Sequence, residues 1–210
     1  MILLSDPRVR SVPVRECGEP LVQVTDVASL RLDDREKDIH GVWGQVRSGV
    51  LDRLKLVAAA LPAHTALLVI EGRRSRAEQQ RRFDTYADKL RQSGVTDPAE
   101  LRVRTSAFVS PVEVAPHCAG AAVDVTLVGD SGAELDMGGP VNGHRFGAEA
   151  SCPMDAVGIS DNARRARRLL AVAMGDAGFV NYPPEWWHWS YGDRYWALAT
   201  GAESALYGPV

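Results

Sequence analysis

The segment "APHCAGAAVDVTLVG", Ala115 to Gly129, decides how the chain is read. Its second half, "AAVDVTLVG", alternates and is rich in β-branched residues, which predicts a strand. His117 and Asp124 stand seven apart, and an odd separation puts two residues of one strand on opposite faces. They can converge only if the chain bends between them, and Gly120 is the residue suited to the bend.

On either side, helices and strands follow one another. Upstream, "ALLVIEG" is a short apolar run closed by glycine, as a buried strand would be, and it feeds "SRAEQQRRFDTYADKLRQSG". There Ser75 and Glu78 form a capping-box pattern, Phe83, Tyr86 and Leu90 an apolar face, and Gly94 a stop. Arg73 and Arg74 lie at the junction of strand and helix. Farther upstream, Ile39, Val42, Val46, Val50, Leu54, Val57 and Leu61 recur at three and four, which predicts one helix from Lys37 to Pro62. "EPLVQV" is a further candidate strand within an otherwise irregular entry over residues 1–35. Downstream, "SDNARRARRLLAVAMGDAGF" predicts a helix capped by Ser160 or Asp161, with Ala163, Ala166, Leu170, Ala173, Met174 and Ala177 facing the core. "WHWSY" closes the series as a final strand, and the mixture indicates an α+β domain.

The 210 residues and 45% hydrophobic content suit a single domain with its own core, taken here as 1–210. A net charge of -3 with interspersed signs argues against a nucleic-acid or anionic-membrane face and leaves a small-molecule or peptide partner. The apolar start "MILL" is too short for a signal peptide or a membrane span, so the expected location is the cytoplasm. Cys17, Cys118 and Cys152 are odd in number and scattered, which suggests neither a disulfide framework nor a thiolate zinc site. Oligomeric state is not legible.

"PPEWWHWSYGDRYWA", Pro183 to Ala197, adds Glu185 and His188 among four of the five tryptophans. His117, Asp124 and His188 together would form a two-imidazole, one-carboxylate zinc set with one position left for water, the catalytic rather than the structural pattern. Glu185, three residues before His188, is placed to take that water's proton and return it to a leaving amine, and the tryptophans would wall the site from solvent. Against this, an isolated His or Asp is more often a surface or satisfied core residue. His40, His64 and His144 are rival ligands, the first two read as solvated and the third as a Gly-rich loop residue able to line a site, while Cys118 is a spectator. Trp186, Trp187 and Trp189 are read first as core and pocket packing.

At these residues the sequence resembles the D-alanyl-D-alanine dipeptidases, the VanX-type zinc peptidases related to the D,D-carboxypeptidases. Their S-x-H-x-x-G-x-A-x-D segment and later E-W-W-H stand here as "APHCAGAAVD" and "EWWH", and the likeness runs from about Leu67 to Trp196. The resemblance implies a small antiparallel sheet with flanking helices, one zinc on His117, Asp124 and His188, and Glu185 as general base. It also implies an oxyanion-stabilising arginine, which "EGRRS" places at Arg74 with Arg73 as fallback. Ala115 replaces a family serine beside the substrate, and Asn142 falls where the family has an aspartate for the dipeptide's ammonium; Trp187 joins them as a substrate-side candidate. The implied activity is zinc-dependent hydrolysis of D-alanyl-D-alanine. Alternatives are a D,D-carboxypeptidase or endopeptidase on a longer cell-wall peptide, a hydrolase tailoring a peptide-like metabolite, and a non-catalytic relative.

Overall fold

In a computed structural model describing residues 2–24, 29–143 and 148–210, the alternating segment is the central strand of a five-stranded sheet. The elements run α1 (Pro7–Ser11), β1 (Leu21–Gln23), β2 (Leu30–Leu32), β3 (Gln45–Arg47), α2 (Ser48–Ala60), β4 (Thr65–Glu71), α3 (Arg76–Gln92), α4 (Pro98–Ser106), β5 (Ala122–Gly129), α5 (Asp161–Asp176), β6 (Val180–Asn181), β7 (His188–Ser190) and α6 (Arg194–Thr200). The sheet order is β2-β4-β5-β7-β6, and β1 pairs only with β3. Every neighbouring pair of the larger sheet is antiparallel except β2 with β4.

One sheet face is the core. Val123, Val125 and Leu127 of β5 pack with Leu67 and Val69 of β4, Trp189 of β7, and the buried stripes of α2 and α5. The intervening β5 side chains, Asp124 and Thr126, are buried on the other face. Directly opposed residues share a face, so pairing Asp124 with His188 puts both on the polar side, and pairing Val123 with Trp189 keeps both in the core. On the other flank, the register slips between Val69 and Glu71, so that Glu71 lies opposite Asp124. An uninterrupted ladder would set Glu71 across from Val123 and turn it into the core.

Two expectations are corrected. The helix expected from Lys37 begins only at Ser48. The Asp38 carboxylate accepts the backbone N–H groups of His40 and Trp43 and fixes a turn there. At Gly44 the chain passes so close to its neighbours that a Cβ would sit 2.0 Å from Gln23 Nε2. The helical spacing of Ile39, Val42 and Val46 is therefore coincidental; Ile39 is 94% exposed and Val46 lies in β3. The entry segment is also more regular than expected, since α1 and the parallel edge strand β2 fall within it.

The capping predictions hold. Ser75 Oγ accepts from the Glu78 N–H and Ser160 Oγ from the Ala163 N–H, opening α3 and α5. Phe83, Tyr86 and Leu90 are only half-buried; Tyr86 lines a cleft, and Leu90 packs against the small cluster of Ala87, Val95 and Leu101. No helix among the described residues is long and apolar enough to cross a membrane.

Candidate metal centre

His117 lies in a 3-10 turn, Pro116–Ala119, that ends at Gly120 in the left-handed conformation, φ 67°. Glycine adopts that conformation without a Cβ penalty, and the turn delivers His117 to the face where β5 presents Asp124. The Arg47 guanidinium fixes this turn from behind by donating to the Ala119 carbonyl at 2.9 Å, and its backbone N–H donates to the Gly120 carbonyl at 2.9 Å.

The result is a tight, buried trio. His117 Nε2 is 3.2 Å from His188 Nδ1 and 3.3 Å from Asp124 Oδ1, and His188 Nδ1 is 3.0 Å from the same oxygen. All three side chains are within 5% of full burial. His117 Nδ1 lies 2.6 Å from the Gly72 carbonyl, an acceptor only, so this nitrogen carries the ring proton and Nε2 presents its lone pair to the cluster. Burial opposes the Asp124 charge, yet the two imidazoles hold its carboxyl well below the usual carboxylate range. Three convergent ligand atoms suit a cation between them, and a tetrahedral zinc with bonds of about 2.0–2.1 Å sets its ligands roughly 3.3 Å apart. The donor set fits that ion in kind and in spacing.

Around the trio is a cleft of about 920 Å³ that reaches Ala115, Asn142 and Glu185 as well as Arg74. Arg74 belongs to a buried network that sequence reading did not single out. Its Nε and Nη2 donate to the two Glu71 oxygens at 2.8 and 2.5 Å, and its Nη1 donates to Gln79 Oε1 at 2.7 Å. Gln79 in turn donates to the Ser110 carbonyl at 2.7 Å, and Arg82 adds a second guanidinium on Glu71 at 3.2 Å. Burial alone would raise the Glu71 pKa, but Arg74 and then Arg82 bring it down to about 2. Burial likewise disfavours the charge on Arg74, and Glu71 more than compensates, leaving its pKa above the usual guanidinium value. The signal available beforehand was an acid closing an otherwise apolar strand.

The remaining candidates separate clearly. Arg73 lines the cleft but donates to Gln45 Oε1 and the Val210 carbonyl. Trp187 is corrected: it is fully buried, packed edge-to-face with Trp186, and absent from the cleft lining. Trp186 and Trp189 are also core residues, so the tryptophans support the site from behind instead of walling it. The cause is strand alternation, which turns His188 one way and its two neighbours the other. His64 pairs with Asp130 on the surface, His40 is exposed on the outer cleft, and Cys118 is a buried thiol pushed up to about 11 by desolvation. His144 lies outside the described residues.

The profile of the D-ala-D-ala dipeptidase family matches residues 49–200, most of the chain. The D-alanyl-D-alanine dipeptidase of Synechocystis sp. is 31% identical over 216 aligned residues, covering 89% of this chain and 87% of that protein. The chain belongs to the D-ala-D-ala dipeptidase family. It is therefore a metallopeptidase by descent. Among solved structures, a vancomycin-resistance D,D-pentapeptidase VanY in complex with Zn(II) is similar at 19% identity and TM-score 0.46, over 77% of this chain and 82% of that one. The LD-carboxypeptidase LdcB is similar at 18% identity and TM-score 0.49, over 91% of this chain and 77% of that one.

Proposed function

We propose that this dipeptidase-family chain hydrolyses the D-alanyl-D-alanine peptide bond, with one zinc held by His117, Asp124 and His188. The observation that carries the reading is the convergence of His117 Nε2, Asp124 Oδ1 and His188 Nδ1 within 3.3 Å of one another in a cleft that Arg74 and Glu185 also line. When bound, zinc supplies Lewis acidity and lowers the pKa of a water towards about 7.

The chain's own groups supply the rest. The Glu185 carboxylate takes the proton from the attacking water and delivers it to the departing nitrogen, so that carboxylate and amine products form in balance. The Arg74 guanidinium faces the charge that develops on the scissile carbonyl oxygen. Because Glu71 and Gln79 already hold it in place, little reorganisation accompanies the reaction. Ala115 and Asn142, which line the same cleft, are assigned to the substrate. A cytoplasmic location is supported by three free cysteines, one of them exposed, since such thiols persist in reducing compartments.

Elemental analysis and turnover of D-alanyl-D-alanine test the reading together. Glu185→Gln is expected to keep one zinc per chain while losing about 10²–10⁴-fold in kcat. Unchanged turnover removes Glu185 from the mechanism, and protein without zinc overturns the site.

A further inference from the structure

Of the two imidazoles in the trio, only one is held from behind. The Gly72 carbonyl lies 2.6 Å from His117 Nδ1 and takes that ring's proton. His188 turns its own Nδ1 towards the trio, 3.0 Å from Asp124 Oδ1, so a neutral ring that ligates through this atom carries its proton on Nε2. That nitrogen is buried and meets no hydrogen-bond partner among the described residues. A buried N–H without an acceptor is costly, and metal-ligating imidazoles almost always give this second proton to a carboxylate, a carbonyl or a water.

The complementary orphan is an acceptor, Asp193, which is 3% exposed. Its Oδ1 caps α6 by accepting the Trp196 N–H at 2.6 Å and also accepts the Ser190 hydroxyl at 3.3 Å. Its Oδ2 is buried with no donor. The chain path carries this carboxylate back towards His188. Ser190 stands two residues after His188 in β7, on the same face of the strand, and Gly192, at φ 79°, turns the chain so that Asp193 returns to the Ser190 hydroxyl. The electrostatics agree. Desolvation pushes the Asp193 carboxyl up to about 6 against the pull of the Trp196 N–H, and of the charged groups that oppose the rise, His188 comes before His117. Thr126 Oγ1, buried and unpartnered on the same sheet face, is the rival acceptor, but it carries no charge.

We propose that Asp193 is the positioning residue of His188, its Oδ2 receiving the Nε2–H through one buried water that bonds to both. Such a bridge satisfies two otherwise orphaned groups at once, fixes the ring in the tautomer that presents Nδ1, and makes that nitrogen a stronger ligand. The proposal deepens the metal-site reading and rests on it, and it is independent of which peptide is cleaved.

Asp193→Asn keeps a capping side chain of the same size and removes the charge. Zinc affinity, measured by competition with a chromophoric chelator, is expected to fall about 10–100-fold. The urea midpoint of the metal-free protein should hold or rise, because an uncompensated buried charge is gone. A purely structural Asp193 gives the opposite pattern, a lower midpoint with the affinity of the folded protein unchanged, and that result overturns the proposal. Zinc-loaded wild type provides a readout that needs no variant. Heteronuclear NMR of the imidazole rings should show His188 protonated at Nε2 and that proton protected from exchange, and a crystal structure should show one water bonded to both Nε2 and Asp193 Oδ2. An Nε2–H that donates elsewhere, or a loss of affinity found in Thr126→Val instead of Asp193→Asn, overturns the proposal. Wild-type protein that binds no zinc overturns the metal site and this proposal with it, a failure told apart from the others because it appears without any substitution.

Discussion

Replacing Glu71 by glutamine changes almost no volume but removes the charge that holds two guanidinium groups. Glu71 is 2% exposed, and the side chains of Arg74 and Arg82 are 10% and 17% exposed, so solvent screens these pairs poorly. Its pKa of about 2 in the folded chain compares with an ordinary 4.5, and at ~1.4 kcal/mol per pH unit the gap amounts to ~3 kcal/mol of stability. Because the folded-state pKa is the lower one, this contribution is complete above about 4.5 and is lost as pH falls towards about 2. Urea unfolding of wild type and Glu71→Gln should therefore differ by ~3 kcal/mol at pH 7, with the difference narrowing steadily below pH 4.5. The variant also leaves Arg74 without its bidentate partner, so kcat is expected to fall by ~10²-fold or more with zinc retained. A stability difference that is absent, or that stays constant from pH 7 to pH 3, refutes the argument. A variant that is destabilised yet fully active refutes the role given to Arg74.

Three further outcomes follow from the same geometry. In Gly120→Ala, the new Cβ would sit 2.6 Å from Leu21 Cδ2 at a φ of 67°, so a loss of about 1–3 kcal/mol in unfolding free energy and weaker zinc retention in a chelator titration are expected. In Arg167→Lys, a point-like ammonium replaces a planar fork that donates to the Met137, Ser151 and Pro153 carbonyls. Thermal unfolding should then drop by ~2 kcal/mol or more, with the segment between these carbonyls becoming the first site of proteolysis. Asp124→Asn should abolish zinc binding while Cys118→Ala leaves it intact, as read by elemental analysis, because only the former removes a charged ligand of the trio.

The half of the metal site that His117 and Asp124 form was legible in the sequence because its geometry is local, whereas His188, 64 residues beyond Asp124, was joined to it by its ligand chemistry and by the family resemblance. The bend at Gly120 follows from the odd spacing of His117 and Asp124, and the caps at Ser75 and Ser160 follow from short patterns. What escaped depends on contacts distant in sequence. Nothing near Gly44 announces that Gln23 will crowd it and end any helix, and nothing near Trp187 says which side of β7 becomes the core. Arg167 lies on the helix α5, one residue from the predicted apolar stripe, yet is 2% exposed because the Met137, Ser151 and Pro153 carbonyls, 14 to 30 residues earlier in the chain, close over it. Two missed helices did carry a local signal: Asp6-Pro7 and Asp97-Pro98 each place an N-cap acceptor before a proline at the first helical position.

The slip in β4 makes chain length, not only residue type, a determinant of function. Without the slip, and with every residue kept, Ile70 would lie opposite Asp124 and the Glu71 carboxylate opposite Val123 among aliphatic side chains; the one residue that the slip takes up returns Glu71 to the polar face. Arg74 would otherwise lose its anchor through a change that replaces no polar residue at all. Insertions and deletions can be tolerated at the turn beyond Gly129, past the end of the pairing with β4, whereas an extra residue within β4 has to be absorbed by a slip of this kind for Glu71 to stay on the polar face.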